Sequence, residues 1–193
     1  VKIFAPLYKK VMLWSEHKYA PWYLYSMAFI ESIFWPVPVD IMLAPMALSK
    51  PHLAWRFAFW STVFSVLGGA VGYYLGYFLY DPVVLPFIEM MGYQDKMLTA
   101  ESWFGQWGIL VIFIASFTPI PFKVFTVSAG MMGMVFAPFL LTALVGRGLR
   151  FFLVAGLMVL GGKKMEAKLS QYIDILGWGT IIAAIILYLI LKY

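Results

Sequence analysis

Five ionisable residues, Glu31, Asp40, Lys123, Arg147 and Arg150, lie within or beside long apolar runs of this sequence. Together they could hold an anion and exchange a proton. The planar donors of Arg bind two phosphate oxygens at once, and Lys adds a compact positive charge. An apolar setting disfavours the charged form of a carboxylate, the condition under which Glu31 or Asp40 would take up and release a proton. Three cations against two carboxylates leave one positive charge in excess. The simplest account is that these residues neutralise one another in buried ion pairs, which contribute specificity more than stability. The functional account starts from cost: a charged side chain at membrane depth is unfavourable by roughly 2.5–3.5 kcal/mol and usually faces a cavity or a partner.

The elements that must position these residues are marked by two breaks, Pro36-Val37-Pro38 and Pro119-Ile120-Pro121. A proline inside a helix removes a donor and clashes with the preceding turn, so two in three residues end the helix. Asp40 follows the first break and Lys123 the second at equal spacing, while Glu31 precedes the first. In hydrocarbon a broken helix is tolerated only where protein or a water-filled cavity covers it. Half-helix N-termini at such breaks suit an anionic group.

Composition sets the surroundings. The chain is 63% apolar and 12% charged, with a mean hydropathy of +0.87, outside the range of soluble domains. No Cys is present and only two histidines, His17 and His52, so no metal site and no cofactor is expected. The net charge of +5 suits anionic lipid headgroups, and the basic residues form no long patch for nucleic acid. No cleavable signal peptide is expected, because Lys2, Lys9 and Lys10 interrupt the first apolar stretch.

In chain order, residues 1–18 place apolar side chains at helical spacing between lysines, the pattern of an amphipathic surface helix. Residues 22–34 and 39–48 are each about 10 to 13 long, short of the roughly 20 needed to cross, and predict a re-entrant hairpin. Residues 53–80 predict a full span. Gly68, Gly72 and Gly76 in it form a small-residue face for close helix packing, within the chain or in a dimer. Residues 81–101 form an acidic joint read as a short interfacial helix with loops; 105–135 repeat the hairpin, 139–160 the span, and 175–191 a last span. The fold expected is an all-α polytopic membrane protein: one membrane domain with an inverted repeat of hairpin plus transmembrane helix, an N-terminal amphipathic helix and a C-terminal transmembrane helix. With the amino terminus cytoplasmic, every basic cluster falls on one side, as the positive-inside rule asks. The hairpins then enter from opposite faces, and Asp40 and Lys123 are expected to meet near the midplane.

Glu31-x-x-x-x-Pro36-x-Pro38-x-Asp40, Gly68-x-x-x-Gly72-Tyr73-x-x-Gly76 and Phe117-Thr118-Pro119-Ile120-Pro121-Phe122-Lys123, followed by Ala129-Gly130, resemble the DedA family of VTT-domain (SNARE-associated) membrane proteins. The pattern is most similar to its YqaA-like subgroup and covers about residues 20–160. The resemblance implies opposed re-entrant hairpins and movement of lipids such as undecaprenyl phosphate or phospholipids. It marks Glu31 and Asp40 as the acidic pair of the first hairpin and Lys123 as a basic residue of the second. Many relatives carry two arginines around the second break. Here Ser116 stands where the first is expected and Lys123 lies one place beyond the second, so Arg147 and Arg150 are candidates for the missing charge. Gly69 and Tyr77 replace an acidic and a basic residue common in relatives.

The expected function is a membrane lipid transporter, a flippase or scramblase moving a phospholipid or polyprenyl phosphate, with protons as candidate coupling ion, in the bacterial inner membrane. A proton-coupled transporter of small ions or solutes would share the fold. A lipid-phosphate enzyme is disfavoured because its chemistry usually needs a nucleophile or base, often His, beside the cations, whereas His17 and His52 lie apart from them. For a structural or assembly factor the aromatics give no separate support, since most suit interfacial anchoring.

Overall fold

The computed structural model describes residues 17–35, 37–91, 94–118 and 122–162. The expected amphipathic helix at 1–18, except its last two residues, the final span at 175–191, and Pro36, Pro119 and Pro121 lie outside the described residues. Among the described residues the fold is all-helical. Its elements are α1 (Ala20–Glu31), α2 (Asp40–Ser49), a 3-10 turn (Pro51–Leu53), α3 (Ala54–Leu79), a π turn (Tyr80–Val84), α4 (Leu85–Met91), α5 (Gln94–Phe117), α6 (Phe122–Met131) and α7 (Phe136–Gly162).

Local chemistry explains the boundaries. Pro21 stands in the first turn of α1, where its missing N–H costs nothing. Asp40 opens α2, a position the helix dipole favours for an acid. Met134 N–H bonds to the Ala129 carbonyl at 3.0 Å and Gly133 N–H to Gly130 at 3.1 Å, with Gly133 at φ +62°. That is a Schellman ending, and the left-handed residue it requires is Gly. The acidic joint is more helical than expected. α5 begins at Gln94 rather than 105 because residues 94–101 hold good helix formers and no Gly or Pro.

Among the described residues two continuous helices, Pro51–Val83 (33 residues) and Phe136–Gly162 (27 residues), are long and apolar enough to cross a bilayer. They run through two apolar clusters. Leu24, Ala28, Val39, Leu43 and Met46 of the α1–α2 unit pack with Phe57 of α3 and Phe151 and Ala155 of α7. Ile112 of α5 and Phe122 and Ala129 of α6 pack with Tyr73 of α3 and Phe139 and Ala143 of α7. The first cluster thus uses the start of α3 and the end of α7, and the second uses the opposite ends, so α3 and α7 are antiparallel. The interval between the clusters is where the charged residues gather.

The glycine face of α3 is occupied within the chain. A Cβ on Gly68 would run into the Phe29 carbonyl of α1, and one on Gly76 into the Val127 carbonyl of α6. At Gly72 it would lie 2.5 Å from Thr126 Oγ1. Gly130 answers from α6, where a Cβ would strike the Tyr73 carbonyl. These contacts bring backbones together as small-residue helix faces do, and they fix both broken segments against one spanning helix.

Candidate functional site

All five residues singled out by charge surround the first helix break. Glu31 is the last residue of α1, and its Oε1 lies 3.2 Å from Arg147 Nη2 of α7. Its other oxygen, Oε2, accepts from the Val39 N–H at 3.4 Å, so one carboxylate braces the break and ties it to α7. Arg147 also donates to Ser32 Oγ at 3.3 Å. Ser32 Oγ in turn lies 2.8 Å from Ser65 Oγ of α3. The Arg147 guanidinium carbon sits 4.7 Å from the Phe122 ring centroid and 5.3 Å from that of Phe151, close enough for cation–π attraction.

One turn along α7, Arg150 forms an ion pair with Asp40 and donates to the Thr118 carbonyl at the end of α5. Arg150 therefore joins the first break to the second. Lys123, in the first turn of α6, reaches back with Nζ 3.1 Å from the Phe34 carbonyl and 3.2 Å from that of Trp35. These carbonyls follow the end of α1, the end of a helix at which a cation is favourable.

The expected meeting of Asp40 and Lys123 is corrected by this geometry. Equal spacing from the prolines does not bring them together, because Asp40 faces α7 and finds Arg150, whereas Lys123 satisfies carbonyls at the end of the first arm. Ser116 stands where an arginine was expected; it is fully buried, bonds to the Ile112 carbonyl at 2.6 Å, and lies against Gly146 of α7. That crossing has no room for a guanidinium. Arg147, the next residue along α7, brings one from the facing helix.

Sequence reading missed the neutral partners Ser32, Ser65 and the Thr118 carbonyl. The available signal was Ser61 and Ser65, four apart and so on one face of an otherwise apolar helix. Both are fully buried, and among the described residues Ser61 Oγ, Asp40 Oδ1 and Arg147 Nε have no hydrogen-bond partner. Such orphans are costly in a fold and stand out where they persist.

The VTT domain profile matches residues 37–160, which include Asp40, Lys123, Arg147 and Arg150. This chain belongs to the VTT-domain family. Uncharacterised proteins of Haemophilus influenzae and Histophilus somni are 48% and 50% identical to it over 192 residues, covering all of each chain. Undecaprenyl phosphate transporter A of Staphylococcus aureus is 27% identical over 146 residues, 72% of this chain and 70% of that protein. No solved structure matches it. The family and the two apolar helices make this VTT-domain protein a membrane protein, and the family together with the distant transporter homologue supports a role in transport.

Proposed function

We propose that this VTT-domain protein moves an anionic lipid, a polyprenyl phosphate or a phospholipid, between leaflets as a flippase or scramblase. The observation that carries this reading is the pair of carboxylate–guanidinium contacts, Glu31–Arg147 and Asp40–Arg150, with Lys123 beside the same break. A phosphate offers the same oxygens to a guanidinium as a carboxylate does, so a headgroup can take an acid's place. Protons are the coupling ion proposed for this movement. Arg150 lies near the middle of α7, and an ionisable group at that depth in an apolar helix favours such a pathway.

The architecture proposed with it is an inverted repeat. α1–α2–α3 and α5–α6–α7 would each be a re-entrant hairpin followed by a span, entering from opposite faces. In this reading the membrane is the bacterial inner membrane and the amino terminus is cytoplasmic, an orientation that the distribution of basic residues supports. The proposed activity breaks no covalent bond, so the protein is read as a transporter rather than an enzyme.

Purified protein in liposomes carrying a labelled phospholipid or a polyprenyl phosphate tests the reading. Leaflet exchange should fall at least about tenfold in Arg150→Gln and in Asp40→Asn, the loss of one charge-assisted contact. Exchange that survives both changes refutes it. Uptake of a soluble ion without lipid exchange would favour the solute transporter, and headgroup turnover an enzyme.

A further inference from the structure

We infer that the two ion pairs have different tasks: Arg150 and Lys123 contact the headgroup, whereas Glu31–Arg147 is a permanent clamp that positions them. This rests on the proposed anionic cargo and assigns roles within its site. The side chains of Arg147 and Glu31 are 1% and 16% exposed, against 13% and 25% for Arg150 and Asp40. Arg147 is walled in by Phe122 and Phe151, and Phe122 is itself 2% exposed. A ligand would have to displace the Phe122 ring to reach it.

The contacts of the first pair also point to a brace. Glu31 spans its own break through Val39 N–H, and Arg147, Ser32 and Ser65 link α7, the break and α3 in one buried chain of bonds. Exchanging Glu31 for a phosphate would release the backbone on the far side of the break. The second pair bridges the two breaks, Arg150 donating to the Thr118 carbonyl as well as pairing with Asp40, but it takes no part in the buried chain of bonds that ties α1 to α3. Among the described residues Asp40 Oδ1 has no partner, and Lys123 Nζ donates to backbone carbonyls of the exposed residues Phe34 and Trp35. Arg150 and Lys123 are therefore the cations that can change partners without dismantling the helix packing. Arg147 is a positioning residue.

The test separates affinity from turnover on the full-length protein in detergent and in liposomes, with dodecyl phosphate and inorganic phosphate as probes. Arg150→Gln should raise the Kd for dodecyl phosphate about tenfold or more, and Lys123→Gln should raise it several-fold. Arg147→Gln should slow lipid exchange while its Kd stays within about threefold of the parent, and Arg147→Lys should recover part of the rate. A wild-type measurement covers variants that do not fold: an arginine-directed dicarbonyl reagent, mapped by peptide mass, should modify Arg150 and be blocked by dodecyl phosphate, leaving Arg147 unreacted in both conditions. Protection of Arg147 in place of Arg150, or an equal rise in Kd for both Gln variants, overturns the assignment while leaving the anion reading intact. Protection by inorganic phosphate alone keeps the assignment but makes the cargo a soluble anion. If neither probe binds the wild-type protein, the anion reading falls and the assignment with it.

Discussion

Replacing Arg147 by Met while Glu31 remains should be among the most damaging single changes in the chain. The guanidinium is 1% exposed, contacts Glu31 Oε1 at 3.2 Å and Ser32 at 3.3 Å, and lies against two aromatic rings. Removing one member of a buried pair leaves the other charged and unpaired, at a cost of about 3–5 kcal/mol. Adding Glu31→Gln should recover much of that loss, because the amide oxygen still accepts from Val39 N–H, bonded to Glu31 at 3.4 Å in the parent, and carries no charge. The double variant is therefore predicted to be more stable than Arg147→Met alone. Reversible unfolding in mixed micelles reads all three variants against the parent, and a double-mutant cycle should give a coupling of about 1–3 kcal/mol. Single effects that add within about 0.5 kcal/mol would refute the reasoning, since independent sites behave that way.

Five further substitutions can be read by the same unfolding measurement. Gly76→Ala and Gly130→Ala should each destabilise by about 1–3 kcal/mol or more, because the new methyl meets backbone of the facing helix; Gly105→Ala, with nothing within 4 Å, should be neutral or gain up to about 1 kcal/mol. Gly133→Ala should cost about 1–2 kcal/mol, since φ +62° is a left-handed conformation that a Cβ disfavours. Tyr73→Phe removes the hydroxyl that bonds to the Met134 carbonyl at 2.5 Å and should cost about 0.5–1.5 kcal/mol.

Much of the fold could be read from residue types because local chemistry decides it. Proline pairs stop helices wherever they stand, and α1 ends before the first pair and α5 before the second. The two spans follow from length and hydropathy. The gathering of five charges also followed from their cost in an apolar chain. What could not be read was the pairing. Asp40 and Lys123 stand at the same spacing from proline, but which side chains meet depends on how helices are rotated about their axes. That rotation is set by crossings such as Gly146 on Ser116 and Gly68 on Phe29, which involve partners far apart in sequence. Neutral residues such as Ser32 and Ser65 carry little signal until the crossing that joins them is known.

The glycine face of α3 and the ion pairs are one design seen from two sides. Gly68 admits α1 close enough for Ser32 to reach Ser65, and Gly72 and Gly76 admit α6 just as closely. α3 thereby holds α1 and α6 in close contact, with α7 packed against both. Arg147 and Arg150, three residues apart on α7, then face different parts of this arrangement: Arg147 the closed crossing of α1 and α3, and Arg150 the ends of α2 and α5. Widening the α3–α1 crossing would strain the Ser32–Ser65 and Glu31–Arg147 bonds first, whereas movement between the two breaks would strain Asp40–Arg150 and the Lys123 contacts. If the breaks shift relative to each other as cargo passes, the second set is the one whose partners must change.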